Sequence, residues 1–212
     1  MIRILVVDDH AIVREGLKQI LSDVKDMAVL AEAANGQEAL ESIRRRSFDV
    51  ILMDISMPGR SGLEILKEIR NEQPKLPVLI LSMHPEEQYA VRSLRAGAAG
   101  YLNKSSAPDE LIGAIRKVSA GRKYVSPSVA EKLALELGTD PGKSPHELLS
   151  DREYQVMMML ASGKSVSEIA QELCLSVKTI STYRSRIMDK MNMKKNAELT
   201  LYAVQNHLLS DA

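Results

Sequence analysis

Ile2-Arg3-Ile4-Leu5-Val6-Val7-Asp8-Asp9-His10 opens the chain: an apolar run of strand length that ends in two adjacent carboxylates. Four more short apolar runs follow it, at Ala28 to Ala31, Val50-Ile51-Leu52-Met53, Val78-Leu79-Ile80-Leu81 and Gly100-Tyr101-Leu102. They are continuous rather than alternating, as strands covered on both faces must be. Helical periodicity fills the gaps. Ile12, Leu17, Ile20 and Leu21 mark one stripe, Ala39, Leu40 and Ile43 a second, and Leu63, Leu66 and Ile69 a third. Leu111, Ile112, Ile115 and Val118 repeat at three and four residues and close the series. This βα alternation predicts an α/β, doubly wound, five-stranded parallel sheet with five helices, whose site lies at the carboxyl ends of the strands.

Those ends carry chemistry. Asp8 and Asp9 follow the first strand, Asp54 the third and Lys104 the fifth, and Ser82 ends the fourth. Three crowded carboxylates repel one another unless a cation intervenes, which makes a hard, oxygen-rich site suited to Mg²⁺. An aspartate can attack phosphorus to give an acyl phosphate. A lysine ammonium and a serine hydroxyl would then meet the phosphoryl oxygens. A single Asp after a strand is more often a loop or helix cap; it is the joint pattern at four strand ends that points to phosphoryl transfer.

Val7-Asp8-Asp9-His10, Leu52-Met53-Asp54-Ile55-Ser56-Met57-Pro58, Leu81-Ser82 and Gly100-Tyr101-Leu102-Asn103-Lys104 resemble the receiver domain of two-component response regulators. The resemblance implies a flavodoxin-like sheet over residues 1–120. It makes Asp54 the phosphoacceptor, and Asp8, Asp9 and the Ser56 backbone carbonyl the Mg²⁺ ligands with it. Lys104 and Ser82 become phosphoryl ligands and Tyr101 the switch aromatic. One departure is Ser105, where many receivers have proline; a cis bond after Lys104 is therefore not expected, since non-proline cis bonds cost about 2.5–4 kcal/mol.

Residues 121–146 read as a linker with one short helix, opened by Ser126-Pro127 and carried by Ala130, Leu133 and Leu137. Gly138 to Pro145, rich in Gly and Pro, breaks regular structure. From residue 147 to residue 212 the chain reads as all helix. Ser150-Asp151-Arg152-Glu153 and Ser165-Val166-Ser167-Glu168 have the spacing of capping boxes, and Ser176 and Asn196 are further N-cap candidates.

The whole chain has zero formal net charge, yet Ser176 to Lys195 holds Lys178, Arg184, Arg186, Lys190, Lys194 and Lys195 against one acid, Asp189. A basic cluster in a neutral chain is the footprint of a nucleic-acid surface or simply a solvated helix face. Wrapped as a helix, Ser176 to Met191 puts Ile180, Ile187 and Met191 on one stripe, with Tyr183 at its edge. Lys178, Thr182, Ser185 and Asp189 fall opposite and Ser181 flanks them. A short helix over Val166 to Leu173 precedes it at helix-turn-helix spacing, which a small bundle made for protein contacts would share.

Leu149-Ser150-Asp151-Arg152-Glu153, Gly163-Lys164-Ser165, Glu168-Ile169-Ala170, Leu175-Ser176-Val177-Lys178-Thr179-Ile180 and Tyr183-Arg184-Ser185-Arg186-Ile187 resemble the LuxR-type helix-turn-helix of NarL/FixJ-class regulators. The resemblance implies double-stranded DNA as a partner, with Ser181, Thr182 and Ser185 towards base edges and Lys178, Thr179 and Arg184 near phosphates. It further implies a sensor histidine kinase as donor and a homodimer when phosphorylated. Glu198 to Leu209 is a candidate dimer contact or plain core. The rival reading is a phospho-switched module whose helical half binds a protein. An enzyme acting on a diffusible substrate is not expected.

The single Cys174 excludes an internal disulfide, suits a reducing cytoplasm and is expected as a small buried apolar residue. No apolar run approaches the ~20 residues of a membrane span.

Overall fold

A computed structural model describes residues 1–138, 144–206 and 208–209 of the chain. Residues 139–143, most of the Gly/Pro-rich break, lie outside the described residues. The chain divides into two compact units, Met1–Leu133 and Ala134–Ala212.

In the first unit the five apolar runs become β1 (Ile2–Val7), β2 (Met27–Ala33), β3 (Val50–Asp54), β4 (Val78–Ser82) and β5 (Gly100–Asn103). They form one parallel sheet in the order β2-β1-β3-β4-β5. The helices between and after them are α1 (Ala11–Ser22), α2 (Gly36–Arg45), α3 (Gly62–Glu72), α4 (Glu86–Arg95) and α5 (Pro108–Ser119). Successive residues of a strand face opposite sides, so each strand feeds two cores. Ile4, Val6, Val50, Leu52, Leu79, Leu81 and Leu102 pack with Leu21 of α1 and Leu111, Ala114, Ile115 and Val118 of α5. Leu5, Val7, Ile51, Met53 and Ile80, the alternate positions, are buried as well.

The order of the sheet reverses direction beside β1, and there β1 and β3 lie adjacent, with Val7 opposite Met53. Asp54 pairs in register with Leu81, and Ser82 with Asn103. The ends of four strands are thus level.

A further helix, α6 (Pro127–Gly138), begins where Ser126-Pro127 predicted it. The segment before it does not behave as a free linker from residue 121. Tyr124 makes a parallel bridge to Gly100 of the edge strand, its N–H donating to the Ala99 carbonyl at 2.9 Å. Gly100 is needed there: a Cβ on it would sit 2.8 Å from the Tyr124 carbonyl oxygen. No cis peptide bond occurs among the described residues.

The second unit holds α7 (Asp151–Ala161), α8 (Val166–Glu172), α9 (Val177–Met191) and α10 (Asn196–Gln205), preceded by a 3-10 turn at Pro145–Leu148. α7 packs against α9 and α10, and α8 against α9. Both predicted capping boxes form, at Ser150/Glu153 and Ser165/Glu168, and each cap contributes about 1 kcal/mol. Ser61/Glu64 and Ser144/Glu147 add two more. Ser176 caps α9, but Asn196 is the first residue of α10 rather than its cap, a place taken by Lys195. The Asn196 side chain is occupied elsewhere, accepting a hydrogen bond from Arg184 Nε at 2.8 Å.

Candidate phosphoryl site and nucleic-acid interface

The strand ends bring Asp8, Asp9, Asp54, Ser82 and Lys104 into one cluster. Asp8 and Asp54 are buried and Lys104 is nearly so. The Lys104 ammonium bridges the two acids, 2.6 Å from Asp8 Oδ2 and 3.0 Å from Asp54 Oδ2. Two forces compete at Asp54. Burial pushes its carboxyl above the ordinary carboxylate range, aided by Asp8 and opposed by Lys104 and the Ser56 N–H. At Lys104 burial acts to lower the ammonium, but Asp54 and Asp8 outweigh it and hold it above its ordinary value. The lysine therefore stays charged against the acid it must serve.

Backbone positions the acid. Gly62 at the start of α3 donates its N–H to the Ile55 carbonyl at 2.9 Å. A Cβ there would lie 2.1 Å from the Asp54 carbonyl oxygen. Only glycine lets α3 close over the acid this tightly. Ser82, fully buried, accepts the His84 N–H on its Oγ at 3.1 Å. Tyr101 is buried and donates its hydroxyl to the His84 carbonyl at 2.7 Å, and Asn103 donates to the same oxygen at 3.2 Å.

Asp8, Asp9, His10 and Asp54 each offer one ligand atom, and these atoms lie within 4.8 Å of one another. Asp9 Oδ1 is buried and has no hydrogen-bond partner among the described residues. It is 3.0 Å from His10 Nδ1, an ion-pair distance without hydrogen-bond geometry. A carboxylate oxygen with no hydrogen bond, in a residue grouped with two further acids, fits a hard divalent cation such as Mg²⁺.

Two histidines escaped the reading by sequence. His10 Nδ1 lies 3.3 Å from Asp8 Oδ1 as well, and His84 Nε2 is 3.0 Å from Ser56 Oγ, spanning two loops at the mouth of the site. Their only signal was position, directly after the Asp8-Asp9 pair and two residues after Ser82.

In the second unit the helical wheel of α9 is realised. Ile180, Ile187 and Met191 are buried with Met188, while Lys178, Ser181, Thr182, Ser185 and Asp189 are exposed. Thr179 is partly buried, and its hydroxyl meets the Ser176 hydroxyl at 2.7 Å. Two cations of the basic cluster are engaged within the fold. Arg184 is held by Asn196, as above, and Lys190 pairs with the buried Glu153 carboxylate at 2.6 Å. Lys178, Arg186, Lys194 and Lys195 are exposed. Cys174 is exposed, contrary to the expectation of burial. It sits in the α8–α9 turn with a φ of 52°, a left-handed conformation that turns its side chain to solvent while Leu173 takes the buried place.

No helix among the described residues is long and apolar enough to cross a membrane. Residues 4–116 match the response regulator receiver domain family, and residues 147–203 match the luxR family of bacterial regulatory proteins. The response regulator UvrY of Escherichia coli K12 is 40% identical over 209 residues, covering 98% of this chain and 96% of UvrY. RcsB from Salmonella enterica serovar Typhimurium, solved bound to the promoter rprA with the phosphomimetic BeF3⁻, superposes with a TM-score of 0.66 at 25% identity. That match covers 95% of this chain and 97% of RcsB. A structure of two RcsB dimers on two parallel DNAs gives a TM-score of 0.59 at 26% identity, covering 96% and 98%. The chain carries a level acidic site on a five-stranded parallel sheet followed by a capped helix-turn-helix, and its likeness to these relatives runs over nearly their full length: the chain belongs to the response regulators that join a receiver domain to a LuxR-type DNA-binding domain.

Proposed function

We propose that Asp54 takes a phosphoryl group from a sensor histidine kinase and that this modification raises the affinity of α9 for double-stranded DNA. The observation that carries the proposal is the Lys104 ammonium seated 2.6 and 3.0 Å from two buried carboxylates at level strand ends. An Asp54 oxygen attacks phosphorus as the bond to the donor's histidine nitrogen breaks, leaving an acyl phosphate. Lys104 turns from the carboxylates to the phosphoryl oxygens, and the Ser82 hydroxyl donates to another. Asp8, Asp9, Asp54 and the Ser56 backbone carbonyl would hold Mg²⁺, which when bound neutralises charge developing on the transferred group. Tyr101 acts as the switch aromatic through its hydroxyl bond to the loop after Ser82. The chemistry is confined to the protein's own aspartate, so the protein is a switch rather than an enzyme with a diffusible substrate.

On the DNA side, the exposed Ser181, Thr182 and Ser185 meet base edges in the major groove, which admits one helix. Lys178 and Thr179 lie near phosphates. Arg184, held by Asn196, reaches a phosphate only from that fixed position. RcsB on its promoter supports this reading, and the RcsB dimers on DNA support a phosphorylated homodimer. The exposed Leu201 and Val204 of α10 are its candidate contact, while Leu199 and Leu208 serve the core. A regulator that binds the chromosome works in the cytoplasm, where one unpaired cysteine stays reduced.

Intact-mass measurement with acetyl phosphate and Mg²⁺ tests the centre of this reading. Asp54→Asn should show no phosphate adduct, and an adduct at the wild-type level would move the nucleophile to another residue.

A further inference from the structure

The carboxylate of Glu86, the first residue of α4, receives two hydroxyls from the start of the segment leading out of the receiver. Ser126 Oγ donates to Glu86 Oε2 at 2.5 Å and Ser128 Oγ to the same oxygen at 3.2 Å, with the two hydroxyls 3.0 Å apart. Ser126 is also the residue on which α6 begins. Its carbonyl accepts the Ala130 N–H at 3.0 Å and its Oγ the Val129 N–H at 3.4 Å, and Val129 is buried. The first turn of α6 therefore rests on one carboxylate of α4, next to the Gly100–Tyr124 bridge.

Glu86 is four residues from Ser82, and the residues between them are tied to the phosphoryl site. Ser82 Oγ holds the His84 N–H, the His84 carbonyl holds Tyr101 and Asn103, and the His84 ring reaches Ser56. We propose that Glu86, Ser126 and Ser128 form a clasp that holds the first turn of α6 on the receiver, and that phosphoryl transfer to Asp54 opens it. The inference rests on Asp54 being the phosphoacceptor. An acyl phosphate carries about two negative charges where the Asp54 carboxylate carried one, and it adds three acceptor oxygens. Ser82 Oγ, which accepts the His84 N–H, is drawn towards the new oxygens as its O–H donates to them, and the short loop to Glu86 follows. The clasp has little slack: one bond is already 3.2 Å long, and an oxygen moved much beyond 3.5 Å accepts nothing. Opening it frees the first turn of α6, the element that leads towards the DNA-binding half.

Hydrogen exchange on the full chain reads the clasp at the Val129 and Ala130 amides. In the wild type, phosphorylation by acetyl phosphate and Mg²⁺ should cut their protection roughly tenfold, the effect expected of losing a charge-assisted hydrogen bond. Glu86→Ala should show the lowered protection before phosphorylation and little change after it, with phosphate uptake by intact mass unaltered. Ser128→Ala, an exposed hydroxyl whose loss leaves the core intact, should fall between the two and covers the case of a poorly folded Glu86 variant. Wild-type protein that gains the phosphate adduct yet keeps full protection at Val129 and Ala130 overturns the clasp and leaves the phosphorylation reading standing. Glu86→Ala at wild-type protection overturns it as well. Wild-type protein that takes no adduct sinks the phosphoacceptor reading first, and the clasp with it.

Discussion

At Gly62 a missing side chain does what no other residue could. Its Cα approaches the Asp54 carbonyl so closely that a Cβ would be 2.1 Å from that oxygen and 2.9 Å from the Ile55 Cα, both rigid backbone. Gly62→Ala should therefore push α3 off the end of β3, costing about 1–3 kcal/mol as over-packed sites do. Phosphate uptake should slow beyond that loss, because Asp54 itself is displaced. Urea unfolding with intact-mass kinetics checks both, and a variant of wild-type stability would show that α3 re-seats freely. Asp9 poses the opposite case. Its buried Oδ1 lacks a hydrogen bond among the described residues and its carboxylate is grouped with those of Asp8 and Asp54, so on the proposed function the residue should cost stability until a cation binds. Asp9→Ala should melt at or above the wild-type temperature without Mg²⁺, lose the stabilisation that Mg²⁺ gives the wild type, and phosphorylate poorly. A lower melting point without metal would make Asp9 a structural residue.

The helix α9 is divided along its length into a buried stripe and an exposed one, and the exposed stripe contains two kinds of group. Lys178 is a solvated cation, so on a duplex it exchanges counterions without reading sequence. Lys178→Ala should weaken binding to all duplexes alike and reduce the salt slope by about one. Thr182 carries no charge, and its hydroxyl donates to the Lys178 carbonyl at 3.0 Å, which fixes its methyl group and its remaining lone pairs on the outer face. Thr182→Ala should lower the preference for the true site by about 1–3 kcal/mol at most and leave the salt slope unchanged. Fluorescence anisotropy on specific and scrambled duplexes at several salt concentrations separates the two. Equal losses on both duplexes for Thr182→Ala would place that side chain away from the bases. The bridge from Lys190 to Glu153 belongs to another job at the same element. It ties α9 to α7, where the buried carboxylate also closes the Ser150 capping box.

For the whole molecule, the proposed function has modification of the first unit alter DNA affinity in the second. Phosphorylation should tighten wild-type binding to the specific site while leaving the ranking of base substitutions unchanged, since a shift in dimer or clasp population scales all sites together. Competition binding against single-base variants of one site measures this, and a changed ranking would mean that α9 itself is remodelled. Much of this molecule was legible in the order of its residues. The continuous apolar runs from Ile2 to Leu102 and the stripes between them specify a parallel sheet, because periodicity is a local property that burial reads directly. The acids and the lysine could be placed together because parallel strands bring all their carboxyl ends to one side. What required the tertiary structure was every pairing between residues distant in sequence whose side chains could as well have met water. Six cations in one basic stretch look alike in a sequence, yet Arg184 is held by Asn196 and Lys190 by Glu153. Cys174 lies in an apolar neighbourhood, but a left-handed turn exposes it. Ser126 and Ser128 read as linker residues until α4 supplied Glu86. Sequence patterns record which residues leave water; which polar partner each remaining side chain finds is settled only when the elements dock.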